Sequence, residues 1–181
     1  FGGSGEDNCY GVTATSDGGY LLAGHSGSPA DGDKSEGTRG GIDYWTVKIN
    51  SSGGKVWDKR FGGTSTDYCQ SAIATTDGGY LLAGYSTSNA GGDKSEAGRG
   101  NWDMWAVKIN ASGGKVWDKR FGGSLSDQCF GVTATAGGSY LLAGQSKSAA
   151  GGDKSEGTRG GYDYWAVKIG ADGNASQPLV A

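Results

Sequence analysis

The side chains of this chain that could do chemistry are concentrated in one polar stretch. It runs Gly32-Asp33-Lys34-Ser35-Glu36-Gly37-Thr38-Arg39-Gly40-Gly41-Ile42-Asp43-Tyr44-Trp45. The stretch returns as Gly92 to Trp105 and as Gly152 to Trp165, 60 residues apart each time. Three uses suit it. Asp33, Glu36 and Asp43, with their equivalents, offer the oxygens a Ca²⁺ ion wants. Their spacing lacks the cadence of an EF-hand loop, and Asp31 gives way to Gly91 and Gly151. Carboxylates and arginine beside an aromatic face also suit carbohydrate. That reading selects Asp33, Glu36, Arg39, Asp93, Glu96, Arg99, Trp102, Asp153, Glu156, Arg159 and Tyr162. The third use is structural, with Lys34 and Arg39 pairing with Asp33, Glu36 or Asp43 to staple a long loop.

Catalytic constellations are missing from the pattern. The single histidine, His25, is replaced by Tyr85 and Gln145 at the equivalent positions, so no nucleophile–histidine pair recurs. The glycines from Gly37 to Gly41 lead into a strand, without the helix N-terminus that cradles phosphate. The expectation is a non-enzymatic protein. Net charge is −3 with both signs interleaved, which leaves no footprint for nucleic acid. No apolar run is long enough for a membrane span.

The elements that must carry the polar stretch follow from the repeat. Residues 1–60, 61–120 and 121–181 are three copies of one unit within one domain, and positions 1–50 match 121–170 at 36 of 50 sites. Each unit reads as four strands. Asp7 to Thr15 is small on both faces, which suits a crowded position. Ser16-Asp17-Gly18-Gly19 is a hairpin turn, because Asp-Gly and Gly-Gly tolerate positive φ. Tyr20 to Gly24 is an apolar run buried on both faces. After the 16-residue loop Ser26 to Gly41, Asp43 to Ile49 alternates Trp45, Val47 and Ile49 against Tyr44, Thr46 and Lys48. Lys55 to Arg60 is charged, as an outer edge strand should be. No helical period is present.

A repeated four-stranded meander of this kind predicts β-propeller blades. The strings Thr75-Thr76-Asp77-Gly78-Gly79-Tyr80-Leu81-Leu82-Ala83-Gly84, Tyr164-Trp165-Ala166-Val167-Lys168-Ile169 and Lys115-Val116-Trp117-Asp118-Lys119-Arg120-Phe121-Gly122-Gly123 carry a specific likeness. Over nearly the whole chain they resemble the blade repeats of secreted β-propeller proteins common in Bacteroidetes. The resemblance implies a propeller fold and an extracellular location, and it brings no catalytic residues. The third unit departs from it, since Lys-Val-Trp-Asp is missing after Ile169.

Propellers close with four to eight blades, so three units leave three readings. Two chains could close a six-bladed homodimeric ring, with the tail Ser176 to Ala181, including Pro178, supplying the missing edge strand. The chain, which opens inside the repeated Phe-Gly-Gly motif, could be a piece of a larger ring. The alternative fold is a β-trefoil. In a meander the long loop and the connection from the fourth strand to the next unit emerge on one face, and binding residues concentrate on such loops. The leading functional expectation is therefore a multivalent, glycan-binding module acting through that face. The alternatives are a structural scaffold without a small-molecule ligand and an accessory domain of a larger enzyme.

Three further sets of equivalent residues carry expectations. Asp7, Asp67 and Asp127 should accept backbone N–H groups from the Gly-Gly turn before them, or else line an axial channel able to hold a cation. Cys9, Cys69 and Cys129 should be small buried residues, too far apart for disulfides within the chain, or else form a three-cysteine metal site on an axis or an intermolecular bridge. Trp45, Trp105, Trp165, Trp57 and Trp117 should be core, leaving loop-borne Trp102 as the exposed aromatic.

Overall fold

The computed structural model describes residues 1–176 and contains eleven strands with almost no helix. The first unit forms β1 (Asp7–Ala14), β2 (Tyr20–Ser26), β3 (Asp43–Ile49) and β4 (Lys55–Phe61). The second forms β5 (Asp67–Ala74), β6 (Tyr80–Ser86), β7 (Asp103–Ile109) and β8 (Lys115–Phe121). The third forms β9 (Asp127–Ala134), β10 (Tyr140–Ser146) and β11 (Asp163–Ile169). Each unit builds its own antiparallel sheet with strands in chain order: four strands, four strands and three. The expected fourth strand from Ser176 to Ala181 lies outside the described residues, apart from Ala175 pairing with Ile169 and the Ser176 N–H donating to the Lys168 carbonyl.

The turns explain the meander. Gly18 and Gly78 adopt φ near 80° in the first hairpins, where a Cβ would be strained. The Asp17 carboxylate accepts the Gly19 N–H there and pairs with Lys48 Nζ at 2.9 Å. In the third unit this turn reads Ala136-Gly137-Gly138, has no carboxylate, and winds into a short 3₁₀ turn. A bulge follows the cysteine in β1, β5 and β9, where the pairing with β2, β6 and β10 shifts by one residue.

The three sheets pack face to face, and the core lies in the two layers between them. The first layer joins Leu21, Ala23 and Tyr44 to Cys69, Leu82, Trp105, Val107 and Ile109. The second joins Leu81, Ala83, Met104 and Ala106 to Cys129, Leu142, Val167 and Ile169. This stacking buries both faces of the third strand of the first unit. Tyr44, Thr46 and Lys48 are as buried as Trp45 and Val47, because the second sheet covers their face. Lys48 tolerates burial by donating to the Asp17 carboxylate and the Ile49 carbonyl.

The outer strands depart from expectation. Asp58 of β4 is a buried anchor, accepting Trp45 Nε1–H at 3.1 Å and the Ser35 N–H at 2.8 Å. Asp118 repeats both bonds with Trp105 and Ser95. The charge of the edge strand thus ties the long loop to the sheet. Cys69 and Cys129 are buried as expected, and burial pushes both thiols up to about 12. Cys9 is exposed, since no sheet covers the outer face of the first unit.

Candidate functional site

Tight turns occupy one end of every sheet, and the long loops and inter-unit connections share the other. The loops hydrogen-bond to those connections: Gly41 N–H donates to the Ser65 carbonyl, Asp67 N–H to that of Ile42, and Asp93 N–H to that of Gly62. The Gly-Gly segments meet the aspartates as expected. Gly3, Gly63 and Gly123 donate to Oδ2 of Asp7, Asp67 and Asp127 at 2.8, 2.9 and 2.8 Å. Ser28, Ser88 and Ser148 hydroxyls donate to the same oxygens.

The repeated loop charges pair both between units and within them. Arg39 Nη1 lies 3.0 Å from Asp93 Oδ2, where Arg60 Nη1 also arrives at 3.0 Å. Asp153 Oδ2 likewise takes Arg99 at 2.8 Å and Arg120 at 3.1 Å. Glu36 pairs with Lys59 at 3.0 Å and Arg60 at 3.6 Å, and Glu96 with Lys119 and Arg120. The within-loop staple expected for the lysine does not form; Lys34 Nζ is buried and donates to the Ser28 carbonyl at 2.8 Å. Among the described residues, Glu156 and Arg159 of the third loop form no ion pair, and the Asp33 carboxylate accepts only the Gly2 N–H.

Asp33, Glu36 and Asp43 do not converge, so the residues do not fit the expected Ca²⁺ site. Asp33 faces Gly2, Glu36 faces β4, and fully buried Asp43 accepts the Arg39 N–H at 2.6 Å. Among the described residues no three carboxylate, thiol or imidazole groups gather as metal ligands. Burial drives the Asp43 carboxyl up to about 6, and its Oδ1 has no partner.

The aromatic side chains at this end of the sheets do gather. The Tyr10 ring stacks on His25 at 5.1 Å, and His25 meets the edge of Tyr68 at 4.5 Å. Tyr68 stacks on Trp102 at 5.6 Å and touches Tyr85 at 5.5 Å. Tyr85 packs against Trp102 and reaches Phe130 at 6.0 Å. Farther on, Lys147 Nζ lies 4.5 Å over the Tyr162 ring. The result is a ridge of rings across all three units, with Tyr10 and Phe130 exposed at its ends. Trp102 sits inside this ridge, half-buried, and so is not the isolated exposed ring expected.

Of the candidate residues chosen from sequence, Trp102 joins the ridge and Tyr162 lies in the same region. Tyr10, His25, Tyr68, Tyr85 and Phe130 escaped a search for identical residues because they occupy positions where the units differ. Asn8, Tyr68 and Gln128 are equivalent, as are Tyr10, Gln70 and Phe130, and Ile42, Trp102 and Tyr162. Divergence between otherwise matching repeats was the signal. His25 is buried, and burial lowers its pKa, so it is a neutral ring within the stack.

No protein-family model matches the chain, and no curated protein matches it. Among solved structures it is similar to a protein of unknown function from Bacteroides caccae, at 16% identity and a TM-score of 0.48, with 97% of this chain covered. The chain spans 46% of that protein's length.

Proposed function

We propose that this chain is a secreted, non-enzymatic binding module for glycans, built as a β-propeller in which two chains close a six-bladed ring. The observation that carries the reading is the aromatic ridge at the long-loop end of the sheets. Sugar rings present apolar C–H faces that stack on aromatic side chains while their hydroxyls reach nearby polar groups. Gln128, Gln145 and Lys147 supply such groups beside the ridge. The scaffold repeats while the ridge varies, which suits a rigid frame carrying a specialised surface. Two chains would present two ridges, and linked weak sites gain avidity.

The loop carboxylates and arginines move in this reading from ligand contacts to structural ties, because Asp93 and Asp153 already carry cationic partners from the preceding unit and Glu36 carries them from its own. That engagement favours the second reading, a scaffold whose loops only hold it together. A glycan array, run with and without Ca²⁺, separates them. Binding abolished by Tyr68→Ala and Trp102→Ala in a folded protein supports the module. A silent array leaves the scaffold.

A further inference from the structure

The two outward faces of the three-sheet stack are the two halves of the contact that joins the sheets internally. On the third sheet Tyr164 is 98% exposed, whereas its counterparts Tyr44 and Met104 are fully buried. Ala143 beside it is exposed, while Ala23 and Ala83 are buried. On the first sheet Val12 is 65% exposed, against 7% for Ala72. Tyr20 is exposed, while Tyr80 and Tyr140 are buried.

Each exposed group has its internal precedent. Tyr44 enters the second sheet beside Cys69 and Gly84, its ring 4.8 Å from that of Trp105, and its hydroxyl donates to the Trp105 carbonyl at 2.9 Å. The corresponding place on the first sheet is a cavity of about 110 Å³, lined by Cys9, Leu22, Gly24, Trp45 and Val47. It is the same socket without its knob. The Tyr80 and Tyr140 side chains lie against Thr15 and Thr75, while the buried Thr135 hydroxyl of the third sheet has no partner among the described residues. Asp93 and Asp153 each receive the loop arginine of the preceding unit, whereas Asp33 and Arg159 are left at opposite ends of the stack. Phe61 and Phe121 sit opposite Tyr44 and Met104 in the strand register, and Phe1, at the same repeat position, edges the socket.

The geometry points to a second copy of this chain as the occupant of both faces, docked head to tail. Tyr164 of one copy fills the Cys9–Gly24–Trp45 socket of the next, its Arg159 pairs with Asp33, and its Thr135 meets Tyr20. The tyrosine knob and its hydrogen bond repeat the contact between the first two sheets, and the arginine–aspartate pair repeats one made at both internal interfaces. A heterologous contact of this kind closes a ring or propagates. The inference rests on the blade reading above but not on glycan binding.

The test is the solution mass of the chain at micromolar concentration. The expected result is twice the chain mass, falling to one chain mass for Tyr164→Asp with an unchanged circular dichroism spectrum. Cys9→Trp, which plugs the socket, should also be monomeric. Mixing the two variants should restore a 1:1 dimer through the one intact contact. Arg159→Asp and Asp33→Arg should each weaken association at least tenfold, and the double variant should recover it. A wild type that stays at one chain mass overturns the proposal and assigns the faces to another occupant. A dimer indifferent to Tyr164→Asp overturns the interface while leaving a six-bladed assembly standing. A silent glycan array beside a dimer that obeys these variants would remove only the binding function.

Discussion

At the scale of single residues, buried carboxylates dominate. Asp58 holds the Trp45 indole, the Ser35 amide and the Lys55 ammonium at once. Asp58→Ala strands the buried Trp45 indole N–H, and an orphaned buried donor costs about 1–3 kcal/mol. Urea denaturation should register that loss. Asp43 works the other way. Its folded pKa lies near 6, pushed up mainly by burial, with Asp67 also raising it and Arg60 and Lys34 opposing. The folded state therefore holds this proton more tightly than the unfolded chain does. Its contribution is fully present below the unfolded carboxylate pKa of about 4 and fades as pH climbs through about 6. Asp43→Asn should flatten the fall in melting temperature between those pH values. Asp77 opposes it, since its hydrogen bond from Lys108 lowers its carboxyl to about 2. Its contribution is present above the unfolded pKa and disappears as pH drops toward 2, so acid should destabilise the wild type through this group.

At the scale of elements, the repeat makes equivalent residues into controls for one another. Tyr44 and Tyr164 share type, strand position and flanking sequence, yet one is sealed between sheets and the other stands in solvent. Tyr44→Ala should cost about 3–5 kcal/mol, as for other buried aromatics. In the monomeric Cys9→Trp background, Tyr164→Ala should leave chain stability within about 0.5 kcal/mol, as surface substitutions do. The same logic separates the arginines. Arg39→Ala and Arg99→Ala remove half-exposed inter-unit pairs worth up to about 1 kcal/mol each. In a Tyr164→Asp background, Arg159→Ala should cost nothing. Chemical denaturation of the five variants checks both comparisons, and equal losses at Tyr44 and Tyr164 would contradict the stacking order. Strand positions and turns were legible because they are local: the Tyr20 run, the Asp43–Ile49 alternation and the Asp17-Gly18-Gly19 turn all fall where the chain pattern puts them. Burial of Lys48 and Asp58 was not, since it depends on a neighbouring sheet or a loop far away in sequence.

At the scale of the whole molecule, three stacked sheets bury two inter-sheet layers and expose one copy of each half-layer. That arithmetic, not the identity of any residue, makes the ends of the stack different from its middle. The ridge from Tyr10 to Phe130 is also a property of the stack, because its rings come from three units and touch only once the sheets are in register. A Trp102→Ala substitution should leave the dimer mass untouched while removing glycan retention; loss of both together would mean the ridge and the interface are one surface.

The polar stretch from Gly32 to Trp45 shows how the two levels divide. Its recurrence every 60 residues, its loop character and its feed into a tryptophan strand follow from sequence alone, since turn propensity and strand period act over a few neighbours. Which carboxylate meets which arginine was decided by tertiary structure. The partners of Asp93 are Arg39 and Arg60, tens of residues away in the preceding unit, and only sheet-on-sheet packing brings them within 3.0 Å. Identical repeats carry identical local instructions, so the differences among them in burial, pairing and exposure arise from what each sheet has on either side.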